Sequence, residues 1–320
     1  CGKAGELAVP AKLSNEEERT VTGDSDSIMC GENRSTDENS MSGRNGSEDL
    51  AVEETMETEF LQGVYVIQTT ADGRFIKRMK EYLTYEEAAE ACGVDEEILL
   101  LRQEISGKSE WYNGLMPPDN LNPESVKTFL KLTHEHYEEV FGGSFPKEVK
   151  GFFTDEPNCC DFFSVFHEGR PWIPWSIGFT EYFIEKRGYD PQEKLPYLFF
   201  DGEGAEKIRH DYWKTVAQRF EESYMKQVYE WCDKRGLRTT GHILYENDLG
   251  YQTRVCGAAM PQLRYLHNPG IDLLGAQTDE YLTVKQCAPV AHQYERSMTI
   301  SEAYGCTGWE LDFSTQKRLG

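Results

Sequence analysis

The sequence predicts an α/β protein built as a (β/α)8 TIM barrel, incomplete in this chain and preceded by a disordered acidic segment. Three observations carry that expectation. Short apolar runs alternate with longer amphipathic stretches from residue 98 onward, and parallel strands need such helical crossovers between them. Polar side chains then gather where those runs end: Trp111 and Asn113, Asp155 and Glu156, His242 and Glu246, Gly275 and Gln277, and Glu302. Carboxyl ends of strands are where α/β barrels keep their chemistry, whereas a doubly wound sheet gathers ligands at one switch point. Finally, only five such strand ends are legible before the chain stops in what reads as a helix start at 314–319, so the barrel is expected to be partial.

Taken in order, residues 1–58 are rich in Ser, Asn, Glu, Asp and Gly and contain no aromatic side chain. Such a stretch cannot bury enough apolar surface to offset the entropy of ordering it. The catalytic domain is expected over 59–320. Residues 64–67 read as a strand, 71–73 as a turn, and 84–91 as a helix capped by Thr84 with Glu87 three positions on. Residues 98–101 read as the first strand of the parallel sheet. Asn122 caps a helix with Pro123 at its first position, running to about residue 140 and burying Val126, Phe129, Thr133, Tyr137 and Val140. Residues 149–154 form a short β-rich run that Pro157 stops. A helix at 178–187 ends at Gly188. A long one over 205–234 shows Ile208, Tyr212, Val216, Phe220, Tyr224, Val228 and Trp231 on one face. Strands follow at 237–244, 271–274 and 297–302, with helical stretches at 252–265, broken near Pro261, and at 283–293.

Composition narrows the function. The 320 residues carry 33 basic and 56 acidic side chains, a net charge of −23, which argues against nucleic acid or an anionic membrane surface as partner. No apolar run approaches the roughly 18 residues of a membrane span. Nine scattered cysteines, with no Cys-x-x-Cys pair, predict no zinc site and a reducing, cytoplasmic setting. A start at Cys1 leaves a removed leader, and hence secretion, open. Gly-x-Gly-x-x-Gly, phosphate-loop and Gly-x-Ser-x-Gly motifs are all absent, which weakens nucleotide-binding and serine-hydrolase readings.

The sharpest candidates are two carboxylates. Phe152-Phe153-Thr154-Asp155-Glu156-Pro157 ends a strand in Glu156, and Thr299-Ile300-Ser301-Glu302 repeats that design 146 positions later. Glycoside hydrolysis needs one carboxyl group to protonate the leaving oxygen and another to attack or to activate water. The plain alternative for Asp155-Glu156-Pro157 is an acidic turn or a helix cap. His242, at a strand end, suits a sugar hydroxyl or a carboxylate, although a lone His is most often a satisfied structural one. Glu246, Asp248 and Asp155 offer an oxygen-rich cation site that no known calcium loop supports. Trp111, Trp172, Trp175 and Trp309 lie where a ring could stack on a sugar, with loop packing as the default. His134 and His136, two apart on a helix, share no face and are not a metal pair.

The ordered set Leu121-Asn122-Pro123-Glu124-Ser125-Val126, Thr133-His134, Gly151-Phe152-Phe153-Thr154-Asp155-Glu156-Pro157, Gly241-His242 with Glu246, Pro269-Gly270-Ile271-Asp272, and Ser301-Glu302 before Gly305 resembles a group of large bacterial glycosyl hydrolases. Over residues 95–320 it is similar to the α-L-rhamnosidases of glycoside hydrolase family 106. More distantly, it resembles barrel hydrolases with carboxylates on strands 4 and 7. That resemblance implies a barrel catalytic domain flanked by β-rich modules, with Glu156 as general acid or acid/base and Glu302 as the second carboxylate. It implies an inverting, calcium-dependent enzyme; calcium is the one cofactor it suggests, with no ligands matched residue by residue. Where the wider group has Asn before the strand-4 glutamate, this chain has Asp155. The expectation is a glycosidase acting on an oligosaccharide or glycoside of plant or host origin. Asp119, Asp155, His242, Glu246 and Trp111 would contact substrate. The rival is a carbohydrate-binding or scaffolding barrel that does not catalyse.

Overall fold

Strand β1 (Leu61–Thr69) is apolar on both faces and is paired on both edges, antiparallel to β2 (Ile76–Tyr82) and to β3 (Glu97–Arg102). These coordinates are a computed structural model that describes residues 61–106, 108–159, 171–275 and 280–319. The expected disordered segment at 1–58 lies outside the described residues, as do Gln277 and the Trp111 side chain. Helix α1 (Tyr85–Ala91), capped by the Thr84 hydroxyl accepting from the Glu87 N–H at 3.2 Å, connects β2 to β3. It packs Ala88 against Val64, Val66 and Ile98, while Tyr65, Ile67, Leu99 and Leu101 face the main core on the other side.

One expectation is corrected here. Residues 98–101 do not open the parallel sheet; they pair antiparallel with β1, covering the edge of that apolar strand that β2 leaves open. The intervening β2 went unread because Lys77, Arg78, Lys80 and Glu81 break its apolar pattern, as suits an edge strand.

Helix α2 (Pro123–Leu130) starts as expected, with the Asn122 side chain accepting from the Glu124 N–H at 3.0 Å. A π-turn (Lys131–Glu135) then joins it to α3 (His136–Phe141). The extra residue rotates the face, so Leu130 and His134 are buried while Tyr137 and Val140 are exposed, contrary to the regular spacing. Strand β4 (Gly151–Thr154) follows, then α4 (Phe179–Arg187), ended by Gly188 at φ 79°.

The long helix is α5 (Ala205–Phe220), a second π-turn (Glu221–Met225) and α6 (Lys226–Asp233), and all seven apolar positions expected on its face are buried. Strand β5 (Arg238–Gly241) leads to α7 (Leu249–Cys256) and α8 (Ala259–Leu263). The break between those helices falls at Gly257, at φ 73°, and Pro261, where the break was expected, sits inside α8, four residues later. Strand β6 (Asn268–Leu273), α9 (Leu282–Gln293), β7 (Ile300–Ala303) and α10 (Phe313–Leu319) complete the described chain.

β4, β5, β6 and β7 form one parallel sheet in chain order. The fold is therefore mixed α/β with a four-stranded parallel sheet, one strand fewer than expected. Its helices bury Phe179, Ile208, Tyr212, Val216 and Phe220 in a core shared with one face of the antiparallel sheet. Among the described residues, no helix is long and apolar enough to cross a membrane.

Candidate active site

The parallel register brings four strand ends to one rim. Thr154 lies opposite Gly241, Gly241 opposite Pro269, and Asp272 opposite Glu302. Aligned residues of parallel strands project from the same face, so Asp272 and Glu302 point the same way. Gly241 lies hard against β4: a Cβ there would stand 2.0 Å from the Thr154 carbonyl oxygen, and its φ of 147° disfavours a side chain. With β4 and β5 pressed together at this point, Asp155 and His242 emerge side by side.

His242 is the hub. Its ring is 1 % exposed, and its Nε2 lies 3.0 Å from Glu302 Oε2 and 3.2 Å from Asp155 Oδ1. A ring nitrogen facing two carboxylate oxygens carries its hydrogen and donates it. The Phe153 ring meets the imidazole edge-on at 5.6 Å. Two overlapping sets, Asp155/His242/Glu302 and Glu156/His242/Asp272, each bring their ligating atoms within 4.8 Å of one another.

Glu156 completes the site from the turn after β4. Its φ of 47° is left-handed, a conformation costing roughly 1–2 kcal/mol for a residue with a side chain. Tyr245 (φ 52°) and Tyr304 (φ 71°), after β5 and β7, share that geometry, and such strain concentrates at functional sites. Burial pushes the Glu156 carboxyl above the usual carboxylate range; His242 opposes the shift, while Asp155, Asp272 and Glu302 add to it. Asp272 is raised by burial too, with His242 again opposing and Glu302 and Asp155 assisting. Burial therefore favours the protonated form of both Glu156 and Asp272.

Glu246 stands behind the imidazole, 4.0 Å from His242 Nδ1. Its carboxylate accepts the Ile243 N–H at 3.0 Å and the Asp272 N–H at 2.6 Å, and its carbonyl accepts from the Gln252 and Gln286 side chains. Burial pushes its carboxyl up to about 8, against the pull of those two backbone donors. Its oxygens brace the ends of β5 and β6.

Asp119 lies in a buried turn, where it accepts from the Ser176 hydroxyl at 2.8 Å and from the Leu121 N–H at 3.1 Å. Its neighbour Asn120 donates to the Asn158 carbonyl at 2.8 Å, and Asn158 donates to the Glu156 carbonyl at 3.2 Å, so this loop supports the turn carrying Glu156. Asp248 caps α7 by accepting from the Tyr251 N–H at 2.8 Å, so the expected Glu246/Asp248/Asp155 cation set gives way to the two sets around His242. Trp111 lies on a short 3-10 turn (Glu110–Tyr112). Trp172 and Trp175 are buried, Trp172 beneath the Arg254 guanidinium at 4.4 Å, and Trp309 is fully exposed.

Sequence reasoning left Asp272 and Tyr245 out of the site. Asp272 had the right signal, a carboxylate near the end of a parallel strand. Tyr245 had none: its nearness to Glu156 comes from a positive φ that the sequence does not announce.

No protein-family model matches the sequence, and no curated protein matches it. Among solved structures, the fold is similar to that of a rhamnosidase from Novosphingobium sp. PP1Y, with a TM-score of 0.50 and 20 % identity. The likeness covers 74 % of this chain and 22 % of that one, so the chain spans less than a quarter of the rhamnosidase's length. At that identity, what the two chains share is a fold.

Proposed function

We propose that this chain carries the catalytic part of a glycoside hydrolase with a (β/α)8 barrel, acting on an α-L-rhamnoside or a closely related glycoside. The observation that carries the reading is the convergence of Glu156, from β4, and Glu302, from β7, on the single buried imidazole of His242. Glu156, raised by burial, suits the general acid: it gives its proton to the glycosidic oxygen as the bond to the anomeric carbon breaks. Glu302, held by His242, suits the general base: it takes a proton from the water that attacks the anomeric carbon, which inverts the configuration. Asp155 shares the His242 N–H and keeps the imidazole turned toward Glu302. The rhamnosidase-like fold supports the choice of substrate class.

The site also fits calcium, because Asp155, Asp272 and Glu302 supply hard oxygen donors whose mutual repulsion a divalent cation would relieve, while Glu156 keeps its proton. Bound there, calcium would offer a positive charge to sugar hydroxyls.

The test is release of free sugar from methyl α-L-rhamnopyranoside, whose alkoxide leaving group needs a general acid, by the wild type and by Glu156→Gln, with the anomer of the first-formed sugar read by NMR. Turnover that Glu156→Gln abolishes, with sugar binding intact, supports the reading. Sugar binding without wild-type turnover would make the protein a binding module instead.

A further inference from the structure

Two π-turns interrupt the described helices, and both serve the same face of the strand that carries Asp155 and Glu156. A π-turn adds a residue and gives up helical regularity, and it recurs where a side chain must be delivered out of phase. The first delivers His134, whose ring stacks on Phe152 at 4.3 Å. The second delivers Tyr224, whose hydroxyl lies 2.8 Å from the Thr154 hydroxyl. Phe152 and Thr154, two apart on β4, share a face.

Tyr224 is itself well fixed. Its ring stacks on Phe220 at 5.7 Å and on Phe129 at 6.2 Å, and it is buried. Burial raises its pKa, so it remains a neutral hydroxyl. Thr154 is thereby held on two sides, its side chain by Tyr224 and its carbonyl by the close approach of Gly241. The next residue reaches His242, and the one after adopts the left-handed backbone that needs surrounding structure to persist. Thr154, Asp155, Tyr224 and His134 also line one cavity of 220 Å³, so there is space for the Thr154 hydroxyl to turn once its partner is removed.

We propose that Tyr224 is a positioning residue for the Asp155–Glu156 turn, acting through its bond to Thr154. Only the kinetic half of its test rests on the hydrolase reading. Tyr224→Phe and Thr154→Val each remove one hydroxyl and keep the packing shape, while Thr154→Ser keeps the hydroxyl. Misplacing an acid by a fraction of an ångström lowers kcat, so Tyr224→Phe and Thr154→Val are each expected to lower it about 10- to 100-fold with KM little changed. The double variant should be no slower than the slower single one, because both remove the same bond. Thr154→Ser should retain the wild-type rate.

The readout independent of activity is the backbone amide NMR shifts of Asp155 and Glu156. They are expected to move in Tyr224→Phe and Thr154→Val but not in Thr154→Ser, with distant amides unmoved. Unchanged shifts at these two residues, shifts spread through the whole core, or additive losses in the double variant would each overturn the proposal. If the wild type hydrolyses no glycoside, the hydrolase reading fails alone, and the amide shifts still decide the role of Tyr224.

Discussion

Replacing Glu156 by Gln is expected to separate catalysis from stability. The ionised carboxylate is disfavoured by burial and by three neighbouring carboxylates. A neutral amide of the same shape removes that repulsion, so the melting temperature should rise while turnover falls at least about 100-fold. A lower melting temperature would mean that the carboxylate is an anchor of the fold. Two other buried groups contribute to the pH dependence of folding with opposite signs. Glu246 is raised from an ordinary 4.5 to about 8, so the folded state holds its proton more tightly, and its stabilisation is lost as pH climbs through that range. His134 is lowered from 6.5 to about 4 by burial, helped by the Arg235 charge, so its contribution is lost as pH falls through that range. Each slope is at most about 1.4 kcal/mol per pH unit. They oppose one another between about 4.5 and 6.5, and above that range the Glu246 contribution tilts stability downward, with Glu156 and Asp272, also raised by burial, acting in the same sense as Glu246. Urea denaturation from pH 4 to 8.5 should show this shape. His134→Phe keeps the ring stack and should make stability fall more steeply with rising pH between about 4.5 and 6.5; an unaltered slope there would remove His134 from the account.

At the scale of elements, the site depends on how closely two strands approach. Gly241→Ala would put a methyl group 2.0 Å from the Thr154 carbonyl, against backbone that cannot move without parting β4 from β5. A loss of roughly 2–4 kcal/mol in denaturant unfolding is expected, with weakening of the Asp155–His242 contact. A loss under about 0.5 kcal/mol, the range of indifferent surface changes, would show that the strands can spread freely. The same scale shows what the sequence made legible. The strand end at Thr154, the short strand carrying Glu302, and the caps at Thr84, Asn122 and Gly188 were readable because each is a local signal that tertiary contacts reinforced. The pairing partner of β3 was not, because a short apolar run does not reveal whether its neighbour is parallel. The π-turns went unread, although one had left a trace. Ile208, Tyr212, Val216, Phe220, Tyr224 and Val228 recur every fourth residue, and each such step overshoots a turn of 3.6 residues by about 40°. One inserted residue absorbs about 100° of that drift and keeps the whole row buried.

At the scale of the whole molecule, the net charge of −23 and the carboxylates around His242 give two different reasons for a cation to stabilise the fold. A diffuse negative field is relieved by any salt, in proportion to ionic strength. A site is relieved by an ion that fits, in proportion to the logarithm of its concentration over its dissociation constant, about 2.7 kcal/mol at a hundredfold excess. Melting curves in millimolar calcium chloride, against sodium chloride of equal ionic strength and against magnesium, therefore separate the two. Calcium is expected to add several degrees beyond sodium, and magnesium less, because its small octahedral shell suits a crowded mixed cluster poorly. The extra increment should vanish in Asp155→Asn combined with Glu302→Gln, which removes the negative charge of two of the donors facing His242 Nε2. An increment that sodium reproduces, or that survives the double substitution, would assign the effect to the overall field, and the rim would then work through its own carboxylates and imidazole alone.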